Sequence, residues 1–327
     1  MRPVELVDEI FQGAVSIERG AGWVQPWRLP YRLLALFPPD GLEGRGAVPA
    51  GVRLCFRSDA DRVEIEVEPS AESLAFDCVI DDELVASSAL PQGERRVAFS
   101  GLPRREKRIE IYLSQCAPVR IVSLRVPDGA SLEIPDDPRP RWIAYGSSIT
   151  QCKHAASPAQ TWPALVARRR GYNLTCLGFG SNCHLDPEVA RMIRDLPAER
   201  ISMCVGTNIC GMASLSPRTF APVLIGFIRT IREGHATTPI VVMSPIINPP
   251  RESTPNAVGF TLAAMREEIA ATVATLRGLG DENLHYVDGL RVFGPDHAAY
   301  LEFGAHPGPE GYRILAANFE ACLPEGF

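Results

Sequence analysis

Three short segments of the 327-residue chain join a glycine-containing turn to a side chain able to do acyl- or proton-transfer chemistry. Gly146-Ser147-Ser148-Ile149-Thr150 follows a short apolar run. A serine in a tight strand-to-helix turn exposes its hydroxyl close to the positive end of a helix. Gly206-Thr207-Asn208 follows another such run; an asparagine amide can donate to a developing oxyanion while glycine lets backbone approach closely. Gly304-Ala305-His306-Pro307-Gly308-Pro309 sets a histidine just ahead of a helix, a placement that suits a general base. Taken singly, the first segment is equally an ordinary turn, while the second reads more readily as an ordinary turn and the third as a solvated loop.

The elements around these segments alternate between strand and helix. Apolar runs at 141–145, 174–177, 201–205, 239–244 and 284–287 read as strands. Stretches at 161–170, 187–196, 217–233, 257–279 and 309–322 read as helices, with Pro163 tolerated in a first turn. Five strand–helix units imply a parallel sheet covered on both faces. Ligands bind such sheets beyond the carboxyl ends of the strands, where the turns above fall.

Before residue 135 the rhythm differs. Apolar and polar residues alternate in 52–57 and 62–67, and further strands are expected at 74–80, 83–87, 95–99, 107–113 and 119–126. Short strands without a convincing helix argue an antiparallel β-sandwich, jelly-roll-like. Three prolines in Pro135-Asp-Asp-Pro-Arg-Pro140 read as a stiff linker. The expected organisation is therefore a β-sandwich over 1–135, a linker over 135–140 and a catalytic domain over 141–327.

In order along the chain, G-S-S-I-T, L-G-F-G-S-N (177–182), V-G-T-N (205–208) and H-P-x-x-x-G-Y (306–312) resemble the blocks of the SGNH (GDSL-like) hydrolase and acyltransferase family. The resemblance covers residues 141–327 and implies a three-layer α/β/α domain. The β-rich first half looks like the sandwich found on some SGNH esterases. By the resemblance Ser148 is the nucleophile and His306 the general base, with Asn208 and the Ser148 N–H as oxyanion donors. The second block places a further donor at Gly180 or Ser181. Three departures from the family pattern stand out. Ser147 replaces a frequent Asp, Ser181 stands about where a glycine is usual, and Phe303 occupies the position of the acid three residues before the histidine. Glu302, Asp296 or a backbone carbonyl is left to orient the imidazole. His184, His235, His285 and His297 have no motif around them, Trp162 reads as core or pocket wall, and 248–252 as a rim loop.

The resemblance implies acyl transfer through a Ser148 acyl-enzyme with no cofactor and no metal. With water as the second nucleophile the protein is an O-acyl esterase, acting on acylated sugars or small molecules. With an alcohol it is an acyltransferase, moving an acyl group from a donor such as acyl-CoA to a hydroxyl of a carbohydrate or natural product. A third reading is a non-catalytic carbohydrate-binding protein. Hydrolysis is the favoured expectation, because nothing local in 141–327 announces an acceptor pocket.

Composition narrows the classes. At 46% hydrophobic and 22% charged, the chain has material for real cores. Its net charge is −6, and beyond Arg168-Arg169-Arg170 it has no dense basic run, which disfavours nucleic acid as a partner. No apolar stretch approaches the ~20 residues that span a bilayer. Nine cysteines without a CxxC read as free thiols in a reducing, cytoplasmic setting, and not as a zinc site.

Overall fold

In the first 126 residues the alternation of side chains builds two antiparallel sheets. The computed structural model describes residues 1–38 and 41–327. One sheet runs in the order Ser16–Gly20, Trp23–Trp27, Ile121–Val126, Arg62–Val67, Arg96–Ser100, with Arg2–Val4 also paired to Ile121–Val126. The other runs Phe11–Gln12, Arg53–Ser58, Lys107–Tyr112, Leu74–Ile80, Glu83–Leu90. Alternate residues (Leu54, Phe56, Val63, Ile65, Ile109, Ile111) point between the sheets and are buried. That is the sandwich core. Four strands before residue 28 were not expected, and one of them carries Pro26. The expectation of no helix also needs correction, because a five-residue α1 (Leu42–Gly46) follows the 3₁₀ turns of Tyr31–Leu36. This segment leaves the sandwich: Leu29, Phe37 and Leu42 pack in the same core as Phe179, Leu185 and Val189.

The proline-rich segment is tied down on both sides. Arg139 pairs with Asp137 and with Glu110, and Glu110 also accepts from Arg53 at 2.8 Å. Arg53 in turn donates to Asn173 Oδ1 at 2.6 Å and to the Leu174 carbonyl at 3.0 Å. Burial alone pushes the Glu110 pKa up, but the flanking Arg53 and Arg139 guanidiniums override it and bring it down to about 2.

After the proline-rich segment a five-stranded parallel sheet forms, in the order Asn173–Gly178, Arg141–Gly146, Arg200–Cys204, Ile240–Met243, Leu284–Val287. Side chains of the strand Arg141–Gly146 alternate between two cores, Ile143 and Tyr145 on one face, Trp142 and Ala144 on the other. Helices α4 (Pro187–Asp195), α6 (Pro217–Gly234) and α7 (Leu262–Gly278) cover the first face. Helices α3 (Trp162–Arg170) and α9 (Pro309–Cys322) cover the second. The two domains and the three-layer architecture are thus as expected. Helix α7 begins five residues later than expected, because Asn256 Oδ1 takes the N–H groups of Val258 and Phe260 and folds that stretch into a turn. Among the described residues no helix is long and apolar enough to cross a membrane.

Candidate active site

The chain leaves the strand Arg141–Gly146 into the four-residue α2 (Ser148–Gln151). Ser147 caps this helix, its hydroxyl accepting the Ile149 N–H at 3.2 Å, which accounts for serine in that position. Ser148 is the first helical residue, so its N–H has no partner within the helix. The helix lies tight against the neighbouring strand. A Cβ at Gly178 would come within 2.3 Å of the Gln151 backbone nitrogen, so only glycine fits there. From the other side Trp162, fully buried, donates its indole N–H to the Ile149 carbonyl at 3.0 Å. Trp162 is core, and it fixes the turn that carries Ser148.

His306 reaches Ser148 from the loop before α9, with Nε2 2.8 Å from Ser148 Oγ. Its Nδ1 lies 3.1 Å from the carbonyl oxygen of Phe303. A carbonyl only accepts, so Nδ1 carries the proton and the Nε2 lone pair faces the serine hydroxyl. The loop is a two-residue turn in which Phe303 and His306 exchange both backbone hydrogen bonds, at 3.2 and 3.3 Å. Gly304 supplies the positive φ of +68° that this turn requires. Neither Glu302 nor Asp296 is bonded to His306. The Glu302 carboxyl group instead folds over Gly308, within 2.2 Å of where a Cβ on that glycine would stand.

Asn208 stands in the first turn of α5 (Thr207–Met212), after Gly206 at φ +108°. The Cys183 N–H donates to Asn208 Oδ1 at 3.1 Å. That bond identifies the oxygen of the amide and leaves the Nδ2 hydrogens for a ligand. Of the two second-block candidates, Gly180 gives its N–H to Gln151 Oε1 at 2.9 Å. Ser181 has φ +62°, and its carbonyl accepts from His184 Nε2 at 2.9 Å. His184 is thus a brace for that loop, bonded also to Ser214 Oγ at 2.7 Å. His235 binds the Ile193 carbonyl and His297 the Gly294 N–H, both structural contacts. The loop after the fourth strand is likewise held internally, by Asn248 N–H to Glu252 and by Glu252 to Arg266.

Three contributors lie outside the sequence motifs. His154 stacks on the Phe303 ring (centroids 4.2 Å apart, planes 6° from parallel) and stands 5.5 Å from the His306 ring. Burial first, then the neighbouring His306 and Lys153, hold its pKa below the ordinary histidine value. Gln151 bridges Gly180 to the N-terminal half, its Nε2 donating to the Gln115 carbonyl at 3.3 Å. Arg28, fully buried, donates to the Arg45 and Val48 carbonyls on one side and to those of Cys176 and Gly178 on the other. Burial pulls its pKa down to about 10, which still leaves it charged at neutral pH. It clamps α1 to the floor of the site. No cysteine competes as nucleophile at this turn: Cys152 is fully buried, and burial raises its pKa well above the usual thiol value.

Family models match the two halves in tandem: the SsfX3 N-terminal domain over residues 10–119, and the GDSL-like lipase/acylhydrolase family over residues 140–323. Among solved structures, the salicylyl-acyltransferase SsfX3 from a tetracycline biosynthetic pathway is 36% identical. It aligns over 98% of this chain and 96% of its own, with a TM-score of 0.92. A putative GDSL-like lipase from Bacteroides ovatus is 22% identical over 95% of this chain and 93% of its own, with a TM-score of 0.76. A family two carbohydrate esterase from Clostridium thermocellum is 12% identical over 83% and 91%, with a TM-score of 0.63, a likeness of fold. A search of the curated proteins gives no significant match.

Proposed function

Because the chain belongs to the GDSL-like lipase/acylhydrolase family, whose fold and residue types make it an SGNH-type esterase or acyltransferase, we propose that Ser148 carries the acyl group and that an alcohol resolves the acyl-enzyme. The observation that carries the reading is the 2.8 Å contact from Ser148 Oγ to a His306 whose far nitrogen is fixed by the Phe303 carbonyl.

The steps follow from that geometry. Nε2 takes the hydroxyl proton as Oγ attacks the acyl carbonyl. Charge gathers on the carbonyl oxygen and is received by the Ser148 N–H and Asn208 Nδ2, with the Ser181 N–H as a third donor, since Gln151 Oε1 holds that of Gly180. Collapse expels the leaving alcohol or thiol, which takes the proton from Nε2. The acceptor hydroxyl then gives its proton to Nε2 as it attacks the acyl carbon. Collapse breaks the bond to Ser148 Oγ, which recovers the proton from Nε2 as the new ester leaves. The donor is a small-molecule acyl ester or thioester, acyl-CoA included, and the acceptor a hydroxyl of a natural product or carbohydrate.

Alcohol and water compete for the same intermediate. An alcohol at ~1 mM against ~55 M water needs a preference of ~5 × 10⁶ for transfer to lead 100-fold, or about 9 kcal/mol. Positioning a bound acceptor supplies ~7–11 kcal/mol. Residues 141–327 alone showed no pocket that would do this. The N-terminal segment adds one nearby: Pro38 and Leu42 meet Asn182, His184 and Met212 around a cavity of about 350 Å³ next to the second block, lined by none of Ser148, Asn208 and His306. The whole-chain likeness to an acyltransferase supports the same reading. Hydrolysis is the second reading, favoured by the half-exposed position of His306, which water can reach.

Single-turnover chemistry separates them. Enzyme acylated with 4-nitrophenyl acetate is expected to deacylate slowly in water and at least about 100-fold faster with a specific small alcohol. Fast deacylation in water that no alcohol accelerates would leave the esterase reading.

A further inference from the structure

Arg45, in the last turn of α1, reaches the site from the N-terminal half of the chain. A Cβ built on Gly180 would stand 3.6 Å from Arg45 Nε and 3.6 Å from Ser148 Cβ. The guanidinium nitrogen and the nucleophile's Cβ are therefore no more than twice that distance, about 7.2 Å, apart. The backbone that carries Arg45 is pinned by the Arg28 clamp, so this placement is part of the rigid floor.

What sets Arg45 apart is the absence of a partner. Arg53, Arg139 and Arg266 are each held by carboxylates. Arg28 donates to four carbonyls. The Arg45 guanidinium, half-buried, has no hydrogen-bond or ion-pair partner among the described residues. A guanidinium offers five N–H donors in a planar fork that matches a carboxylate or phosphate. Holding one partly desolvated and unpaired beside a nucleophile is costly unless a ligand completes it.

We infer that Arg45 receives an anionic group, a carboxylate or phosphate, carried by the substrate within about one side chain's length of the scissile carbonyl. The inference rests on the Ser148 acyl-enzyme reading. The diphosphate of an acyl-CoA lies a full pantetheine arm from its thioester, too far for this guanidinium. The anion therefore belongs to the acyl group or to the alcohol. Arg45 is a specificity-determining residue contributed by the N-terminal domain.

Two matched ester pairs test this and separate the two sources. For the acyl side, mono-4-nitrophenyl adipate is compared with its methyl ester, and for the alcohol side, 4-acetoxybenzoate with its methyl ester. The readout is the ratio of kcat/KM for the anionic to the neutral member. In one pair, Arg45→Gln is expected to lower that ratio about 10-fold or more, Arg45→Lys to lower it less, and the exposed Arg218→Gln to leave it unchanged. Raising salt from about 20 to 500 mM should shrink the wild-type ratio in the same pair, a readout that needs no variant to fold. Ratios that neither Arg45→Gln nor salt moves in either pair overturn the inference. Fluorophosphonate labelling of Ser148 is run alongside. A labelled enzyme with unmoved ratios sinks the Arg45 role alone, whereas an unlabelled wild type sinks the acyl-enzyme reading and this inference with it.

Discussion

If the Phe303 carbonyl orients His306, carboxylates near the histidine are dispensable and the turn that carries the carbonyl is not. Neutralising the buried acid of a full triad costs ~10⁴ in turnover, about 5.5 kcal/mol. Here Nδ1 is 3.1 Å from the Phe303 oxygen, and Glu302 is folded over Gly308. Glu302→Gln and Asp296→Asn, singly or together, should each change kcat/KM by less than about 3-fold. Gly304→Ala attacks the turn itself. Its φ is +68° and nothing lies within 4 Å of the added methyl, so the cost is backbone strain alone. That strain is ~1–2 kcal/mol. A misoriented turn can be favoured by no more than the strain it relieves, so the loss is bounded at about 5–30-fold. Steady-state hydrolysis of 4-nitrophenyl acetate, with circular dichroism to confirm folding, measures all four variants. A loss of 10³ or more in Glu302→Gln with an unaffected Gly304→Ala would refute carbonyl orientation and restore a carboxylate triad.

Asn208→Ala should lower kcat by ~10²–10³ with little change in KM. Asn208→Asp, which keeps the acceptor for the Cys183 N–H but puts negative charge where the oxyanion forms, should lose at least as much; a rise in KM alone would contradict the donor role. The folded pKa of His154 is depressed, so its stabilising contribution is complete above its ordinary value of ~6.5 and lost as pH falls through the lower folded value. Wild-type Tm should therefore drop more between pH 7 and 5 than that of His154→Gln, and parallel melting curves would show that the stack with Phe303 is indifferent to charge. Arg28→Met strips four carbonyls of their donor and should cost about 3 kcal/mol or more in urea unfolding, together with activity; an unchanged midpoint would mean that α1 docks without the clamp.

Much of this arrangement was readable along the chain. The parallel strands are short apolar runs bounded by Gly, Pro and polar turns, so Leu284–Val287 and Pro309–Cys322 fall where periodicity places them. The turns after two strands hold Ser148 and Asn208, where a parallel sheet presents side chains to a ligand, and the loop before the last helix brings His306 to the same end. Phe303 already hinted at a backbone acceptor, since no acid stands in its place.

What stayed hidden lies in contacts distant in sequence. Arg28 works through carbonyls some 150 residues away, and no local pattern marks an arginine for that task. Arg45 sits in a five-residue helix too short for periodicity to register. His154 has no motif, although its place six residues beyond Ser148 puts it on the same rim. Pro26 masks the strand Trp23–Trp27, since proline usually argues against a sheet position. The open choice between Gly180 and Ser181 turns on Gln151, whose carboxamide already occupies the Gly180 N–H.

The central claim is a covalent acyl group on Ser148, and trapping that intermediate tests it most directly. The protein is mixed with excess 4-nitrophenyl acetate, quenched in acid within the first turnover, and analysed by intact mass and peptide mapping. The account predicts one added acetyl group on the peptide containing Ser148, absent in Ser148→Ala and formed far more slowly in His306→Ala. An acetyl group on another residue, or turnover that persists in Ser148→Ala, would contradict it.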